Sequence, residues 1–439
     1  MHPLRNRAFR TFFAAQILSL LGIGLLTVAL ALTAYRLAGA AGAGGVLATI
    51  LTLKMVAYVG VAPFAEAALS GAEPRRTLIL LDLVRMALLL PMAFVESVWH
   101  VGALALAFFA ASAAFTPLHQ ATIPAILKDD AAYSKALALS RLASSAEALV
   151  SPALAGLALT MVADRVLFPI AAACFAGSVL ALLLTRLERG LELPHKAPFL
   201  ERAARGVRIE LLTPRLRGLL VMHLGLALGL SWVLVNTITY AGLRLDDPAQ
   251  AYTRLMFAYG AGAGIAALAV PRLVARLGER RVILSGGGAF GLLGPAILLP
   301  ATMPGLMLLW AGFGAASSMV LTPGGLLLTR SAHARDWPAL FAAQFSLSHL
   351  AWLLAYPLAG AAGVALGPEG ALVALGAATA AVTLVAAAIW PAVDPTERVH
   401  SHPDLAPGHP HLAAHRPLGP ANRHSHAFHI DEQHPQWSM

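Results

Sequence analysis

The sequence contains little charge and almost no cysteine. Of its 439 residues, 12% are charged and 58% are hydrophobic, whereas a soluble protein carries about 25% charged residues. The chain therefore lacks the ions needed to cover a water-facing surface. Its single cysteine, Cys174, excludes an internal disulfide and any metal cluster built from thiolates.

Other absences narrow the function. No Gly-x-x-x-x-Gly-Lys-Ser/Thr loop occurs, so a transporter with this sequence must be driven by an ion gradient and not by ATP. We find no nucleophile–base pair and no closed metal motif, and we therefore expect neither enzymatic activity nor a bound cofactor. The net charge of +9 does not indicate a nucleic-acid partner, because the basic residues lie in short segments between apolar runs.

Apolar runs long enough to cross a bilayer recur along the chain. We predict twelve transmembrane helices, over residues 10–35, 43–65, 77–96, 99–124, 133–162, 165–186, 217–242, 252–275, 281–300, 304–329, 338–366 and 370–391. Most Lys and Arg residues fall on one side of these spans. This asymmetry predicts a multi-pass membrane protein with both termini in the cytoplasm. We expect it in the bacterial cytoplasmic (inner) membrane.

The predicted spans form two related halves. Three motifs recur at a separation of 205 or 206 residues, each in the corresponding position of the second half: Arg75-Arg76 and Arg280-Arg281, Thr116-Pro117 and Thr322-Pro323, and Pro152 and Pro357. Three recurrences at one separation indicate a duplicated six-helix unit. We therefore expect an N-terminal six-helix bundle (1–186), a cytoplasmic amphipathic linker (187–216), a C-terminal six-helix bundle (217–392) and a tail (393–439).

Two six-helix halves, a charged central loop and the two arginine pairs resemble the major facilitator superfamily, although residues 65–76 lack the aspartate usual in its loop 2–3 signature. The second half resembles the nickel-resistance (NreB-like) exporters. The residues that carry this resemblance are 232–237, 321–325 and, most fully, 341–360, and a histidine-rich C-terminus is also typical of that group. The resemblance implies an all-α membrane protein with the major facilitator fold. It also implies proton-coupled export of Ni²⁺ or Co²⁺, and we expect a monomer.

Polar residues inside the predicted spans are few. An ion at the bilayer centre costs roughly 2.5–3.5 kcal/mol, so each needs a partner or water. We assign a structural or gating role to four of them: Asp82, Arg85, Lys54 and Arg141. Asp82 and Arg85 are spaced i, i+3 and can pair, and Lys54 could pair with Asp82 or Glu147.

Three other residues are the candidate metal site. His119, Glu147 and His349 fall on helices that the resemblance places around the transport pathway. Imidazole and carboxylate suit Ni²⁺, Co²⁺ or Zn²⁺ and also exchange protons near neutral pH, so protonation could release the metal. His223 and Asn236 could add ligands. For each histidine, a hydrogen-bonded structural role is the alternative.

Nine of the sixteen histidines lie in residues 400–439. Low hydrophobicity and many prolines predict a disordered tail, and irregular spacing argues against a tetrahedral zinc finger. We interpret the tail as a loose cytosolic collector of metal, with tolerated low complexity as the alternative. The predicted accessory ligands are His400, His402, His409, His411, His424, His426 and His429.

Two other functions remain open. The chain could export an organic solute, such as a drug or a siderophore, because the cavity of this superfamily is wide. From a different class, it could be a membrane metal sensor that does not transport. The duplicated halves argue against the sensor, because such symmetry serves alternating access.

Overall fold

A computed structural model describes residues 3–68, 73–127, 132, 136, 139–140, 143, 151, 154–159, 161–185, 199–299, 302–333, 336–395, 397–402, 405, 409–413, 418, 422–431 and 433–437. Within these residues the body is helical, and two short strands occur in the tail. The α-helices are α1 (Arg7–Ala68), α2 (Pro74–Met92), α3 (Val98–Ile126), α4 (Leu167–Leu184), α5 (Phe199–Leu212), α6 (Pro214–Arg244), α7 (Pro248–Leu277), α8 (Glu279–Leu293), α9 (Met303–Leu321), α10 (Gly324–Thr329), α11 (Trp337–Ile389) and α12 (Pro410–Ala413). The strands are β1 (Glu397–His400) and β2 (His424–Ala427).

Eight of the described helices are long and apolar enough to cross a membrane, which confirms a multi-pass membrane protein. Two of them, α1 and α11, each cover two predicted spans. The chain turns inside them at Gly39 (φ 67°) and Gly367 (φ 70°), a conformation that glycine adopts without steric cost. The fifth predicted span, 133–162, lies largely outside the described residues, so the count of twelve stays a prediction.

The repeated arginines make the same contact in both halves. Arg75, in the first turn of α2, donates to the carbonyls of Leu182 and Leu183 near the end of α4. Arg280, in the first turn of α8, donates to the carbonyls of Ala387 and Trp390 at the end of α11. A cation at a helix C-terminus satisfies carbonyls that lack a helical partner. The sequence repeat therefore corresponds to a repeated structural contact.

The two halves meet where α1 packs against α6 and α11. Small residues permit the close approach: a Cβ on Gly44 would lie 2.7 Å from Thr239 Oγ1, and one on Gly360 would lie 2.6 Å from the Cβ of Ala48. Membrane helices approach through such residues because lipid offers no hydrophobic driving force for association.

Asn236 is part of the same tight region. Its side-chain amide donates to the Ala359 carbonyl at 2.9 Å, which links α6 to α11. A Cβ on Gly363 would lie 2.1 Å from Asn236 Oδ1. The hydrogen bond holds Asn236 in place, so this side chain cannot move away freely.

We therefore expect Gly363→Ala to destabilise the protein by about 1–3 kcal/mol, the usual cost of overpacking. The thermal unfolding midpoint in detergent measures this loss. In an Asn236→Ala background the same substitution should cost much less, because the obstructing amide is gone. Gly45→Ala, where a Cβ meets nothing within 4 Å, is the control. Equal costs in the two backgrounds would contradict this account.

The linker helix α5 packs against the start of α11. A Cβ on Gly206 would lie 2.2 Å from the Ala339 carbonyl oxygen, and Arg205 pairs with Asp336 at 2.7 Å. Glu210 is fully buried in this contact. Burial raises the pKa of its carboxyl to about 8, and among the described residues neither of its oxygens has a hydrogen-bond partner.

Glu210 should make stability depend on pH. Its pKa in the folded state, about 8, lies above the ordinary value of 4.5. The stabilising contribution is therefore present below about pH 4.5 and is lost as pH rises through about 8. We expect the unfolding midpoint of Glu210→Gln to exceed that of the wild type above pH 8 and to match it near pH 5. The exposed Glu201→Gln on the same helix is the control, and parallel curves for wild type and Glu210→Gln would contradict the expectation.

Candidate metal-binding groups in the membrane and in the tail

The predicted pair of Asp82 and Arg85 is present and fully buried. Arg85 also donates to Ser19 Oγ at 3.1 Å, and Asp82 accepts from Ser178 Oγ at 2.7 Å. The guanidinium lies 3.9 Å from the centre of the Phe115 ring. These contacts link α1, α2, α3 and α4, which gives the pair a structural role in the N-terminal half.

His119 lies inside the N-terminal bundle. Its ring stacks on Phe12 with centroids 4.0 Å apart and an interplanar angle of 10°, and it is 3% exposed. Nε2 lies 3.5 Å from the Phe12 carbonyl oxygen. The structure therefore gives His119 aromatic and backbone neighbours, and it does not bring His119 to His349. Glu147 and Arg141 lie outside the described residues.

His349 lies at the contact between the halves. Its ring stacks on Tyr58 of α1 with centroids 5.5 Å apart, and it packs against the Phe345 ring in a tilted arrangement with centroids 3.8 Å apart. Its Nδ1 lies 2.7 Å from the Phe345 carbonyl oxygen, so Nδ1 carries the proton and Nε2 carries the lone pair. Lys54 and His223 are near enough for their charges to act on this ring.

His223 belongs to the same region. Its Nδ1 lies 2.9 Å from the Leu219 carbonyl oxygen and 3.5 Å from the side-chain nitrogen of Gln344 on α11. Lys54 lies 5.9 Å from the centre of the Tyr58 ring. His349, His223, Gln344, Lys54 and Tyr58 are called the interface group below. Among the described residues, no three histidine, cysteine or acidic side chains converge within the membrane helices as they do in the tail.

The described part of the tail contains two strands, where composition predicted disorder. Strands β1 and β2 pair antiparallel, with His400 opposite His424. Phe428 and Ile430 are each 3% exposed. Composition did not predict this order because neutral imidazoles can pack as flat rings. The ring centroids of His400 and His434 lie 5.0 and 4.7 Å from the ring centroid of Phe428.

Folding brings six tail histidines together, named here the histidine cluster. They are His400, His402, His411, His424, His426 and His434. In two overlapping groups of four, the ligand atoms all lie within 4.8 Å of one another. His409 and His429, also predicted as ligands, lie outside both groups. His434, which we had not selected as a ligand, lies inside.

Hydrogen bonds orient four rings of the histidine cluster. Nδ1 of His400, His424 and His426 lies 3.1, 2.8 and 2.8 Å from the carbonyl oxygens of Arg398, Asn422 and Ala427. Nδ1 of His434 lies 2.8 Å from Asp431 Oδ1. Because each of these oxygens can only accept, each Nδ1 carries the proton and each Nε2 carries the lone pair. Metal-ligating histidines are held in this way by outer partners.

The cluster also favours neutral rings. Burial, followed by the repulsion of neighbouring histidines, lowers the pKa of His411 to about 4. The pKa of His400 is also lowered to about 4, mainly by burial. Neutral imidazole is the form that binds metal. The rings of His400 and His411 are therefore neutral and able to bind metal at neutral pH.

The tail packs against one end of the C-terminal bundle, which is named here the linker end. At this end α6 begins, α7 joins α8, and the linker helix α5 packs. Arg208 of α5 donates to the Pro435 carbonyl at 3.3 Å. The Trp437 ring lies 5.0 Å from the guanidinium of Arg215 on α6. His429 Nε2 lies 3.3 Å from the Arg330 carbonyl oxygen. Residues far apart in the sequence make these contacts, so no local sequence signal predicted them.

No family model and no curated protein matches the sequence. Solved structures do match the fold. A crystal structure of the nucleoside transporter NupG superposes with a TM-score of 0.67 at 13% identity, covering 87% of this chain and all of that one (100%). A crystal structure of the peptide transporter POT in complex with sulfate superposes with a TM-score of 0.64 at 14% identity, covering 88% of this chain and 94% of that one.

The human organic anion transporter MFSD10 (TETRAN) gives a TM-score of 0.59 at 20% identity, covering 89% of this chain and 100% of that one. At these identities the likeness concerns the fold alone. It extends over nearly the whole length of both partners in each comparison. The chain has the helical membrane fold of the major facilitator type.

Proposed function

We propose that this protein is a secondary transporter that exports Ni²⁺ or Co²⁺ from the bacterial cytoplasm in exchange for protons. The observation that carries the proposal is the histidine cluster, because six imidazoles with no carboxylate among them form a donor set for borderline transition metals. The basic residues near the span ends favour a cytoplasmic location for the linker end and for the tail.

The interface group is the proposed point of passage through the membrane. His349 presents its Nε2 lone pair between the halves. His223, which contacts the Gln344 side chain, is near enough for its charge to act on this ring. A metal ion bound here would be displaced when the rings gain protons, since only neutral imidazole binds metal. His119 is left out of this site, because its ring is packed against Phe12 inside one bundle.

Export of an organic solute is the second candidate. The structures with a similar fold are those of nucleoside, peptide and organic anion transporters. Tyr58 of the interface group and the neighbouring Phe345 could pack against an organic molecule. The metal sensor is disfavoured, because the fold matches transporters over most of the chain.

The interface group supplies the first test. His349→Ala should reduce nickel uptake into everted vesicles with an imposed pH gradient to background, because it removes the lone pair between the halves. Radioactive nickel uptake measures the effect at equal protein abundance. His100→Ala, at an exposed histidine of α3, should leave uptake unchanged. Full nickel uptake by His349→Ala would remove this residue from the pathway.

The same vesicles separate the candidate functions. Uptake of nickel that depends on the gradient supports metal export. Gradient-dependent uptake of a fluorescent drug without nickel uptake would favour the organic-solute carrier. Uptake of neither would favour the sensor.

The tail supplies the second test. Removal of residues 400–439 should weaken nickel resistance at limiting metal severalfold, because the histidine cluster no longer concentrates metal beside the carrier. Resistance should converge with that of the wild type at high metal, where collection is not limiting. Growth curves over a range of nickel concentrations measure this. Identical curves at every concentration would exclude the tail from the mechanism.

A further inference from the structure

We propose that the histidine cluster binds a single metal ion and that this ion latches the tail to the linker end through Asp431. This inference goes beyond the proposed function, because it concerns a resident ion and holds whatever the transporter carries. It describes the histidine cluster as a built centre whose ligand atoms converge. Five observations lead to it.

The first observation is that the two groups of four histidines share His400 and His411. Two separate ions would compete for these rings, whereas one ion at the shared position is within reach of both groups. The geometry therefore points to one ion for each chain.

The second observation is the spacing of the lone pairs. His434 Nε2 lies 3.1 Å from His400 Nε2 and 3.1 Å from His402 Nε2, and His424 Nε2 lies 3.0 Å from His411 Nε2. A metal ion about 2.1 Å from two nitrogens holds them about 3.0–3.4 Å apart, depending on its geometry. The Nε2 lone pairs of His400 and His434 face each other at 3.1 Å. Two lone pairs at this distance repel each other unless a cation lies between them.

The third observation is that Asp431 touches both the cluster and the body. Its Oδ1 accepts from Nδ1 of His434 at 2.8 Å and from the backbone amides of Gln433 and His434. Its Oδ2 lies 3.3 Å from Nε2 of His333, in the segment between α10 and α11. A carboxylate behind a histidine orients that ring toward its metal. Here the same carboxylate also contacts His333 of the helical body.

The fourth observation is that the latch has a second contact beside Asp431. The rings of His333 and His429 meet edge to face with centroids 4.5 Å apart, and His429 reaches the Arg330 carbonyl. Two tail residues, Asp431 and His429, therefore contact His333. Neither belongs to the histidine cluster, so the latch can be altered without removing a ligand.

The fifth observation concerns the chain order of the ligands. They come from β1, α12, β2 and the final turn, so an ion that binds all of these segments closes the tail on itself. Closure fixes Asp431 where it meets His333. Linkage then requires that an ion which favours docking is itself bound more tightly by the docked tail.

The test uses the purified full-length protein in detergent, titrated with NiCl₂. Bound nickel for each chain is measured by equilibrium dialysis, and hydrogen–deuterium exchange reports on two segments, 330–337 and 424–437. We expect one nickel ion for each chain and increased protection in both segments. His409→Ala, which removes a tail histidine outside both groups, should behave as the wild type does.

Three variants separate the centre from the latch. Asp431→Ala should weaken nickel binding 10–100-fold, the usual effect of removing an outer-shell partner. Asp431→Asn keeps an acceptor for His434 but loses the charge facing His333, so it should bind nickel more tightly than Asp431→Ala does. His333→Ala should still bind one ion and protect 424–437, while segment 330–337 no longer responds.

Two or more equivalent ions, or none, would overturn the single-ion centre. Wild-type affinity in Asp431→Ala, or an unchanged exchange rate at 330–337 when nickel binds the wild type, would overturn the latch. These outcomes are independent of transport: loss of nickel uptake in vesicles with an intact centre would overturn only the proposed function.

Discussion

Every polar group that this chain carries into the bilayer must find its partner inside the protein, and that constraint shapes the body. An unpaired polar group in hydrocarbon costs several kcal/mol, as a rough magnitude. Arg85 and Asp82 therefore bind each other and two serines from neighbouring helices. Arg75 and Arg280 bind the last carbonyls of α4 and α11. Polar contacts therefore join neighbouring helices whose surfaces are otherwise apolar.

The same constraint separates the histidines of the membrane from those of the tail. His223 and His349 each direct Nδ1 to the carbonyl four residues earlier on their own helix. A ring held by its own helix needs no second histidine nearby. In the tail, strand carbonyls and Asp431 hold Nδ1 while Nε2 turns inward. Imidazoles converge in the tail because a segment outside the membrane can fold around them and pair their Nδ1 atoms with backbone carbonyls.

The sequence predicted what depends on short spacing or on repetition. The pair of Asp82 and Arg85 followed from their i, i+3 spacing. The repeat predicted two related halves, and the structure adds that Arg75 and Arg280 make the same contact in them. Knowing which helix a residue lies on did not predict the direction of its side chain. His119 lies on a helix expected to line the pathway, yet its ring packs against Phe12 within the bundle. Such an orientation depends on helix rotation, which a short stretch of sequence with apolar residues on all sides does not encode.

The tail shows a different limit, because its order depends on pairing between residues 397–400 and 424–427. The intervening chain contains no spacing that predicts this register. Once paired, the tail meets a charged network at the linker end. The carbonyl of Arg330 lies against His429, while its guanidinium binds Asp394 at 2.9 Å and Glu279 at 3.3 Å. Asp394 also binds Arg215 at the start of α6. A docked tail therefore contacts Arg330, the residue that joins α8 to the segment after α11. If these elements move during transport, the tail must move with them or release this contact.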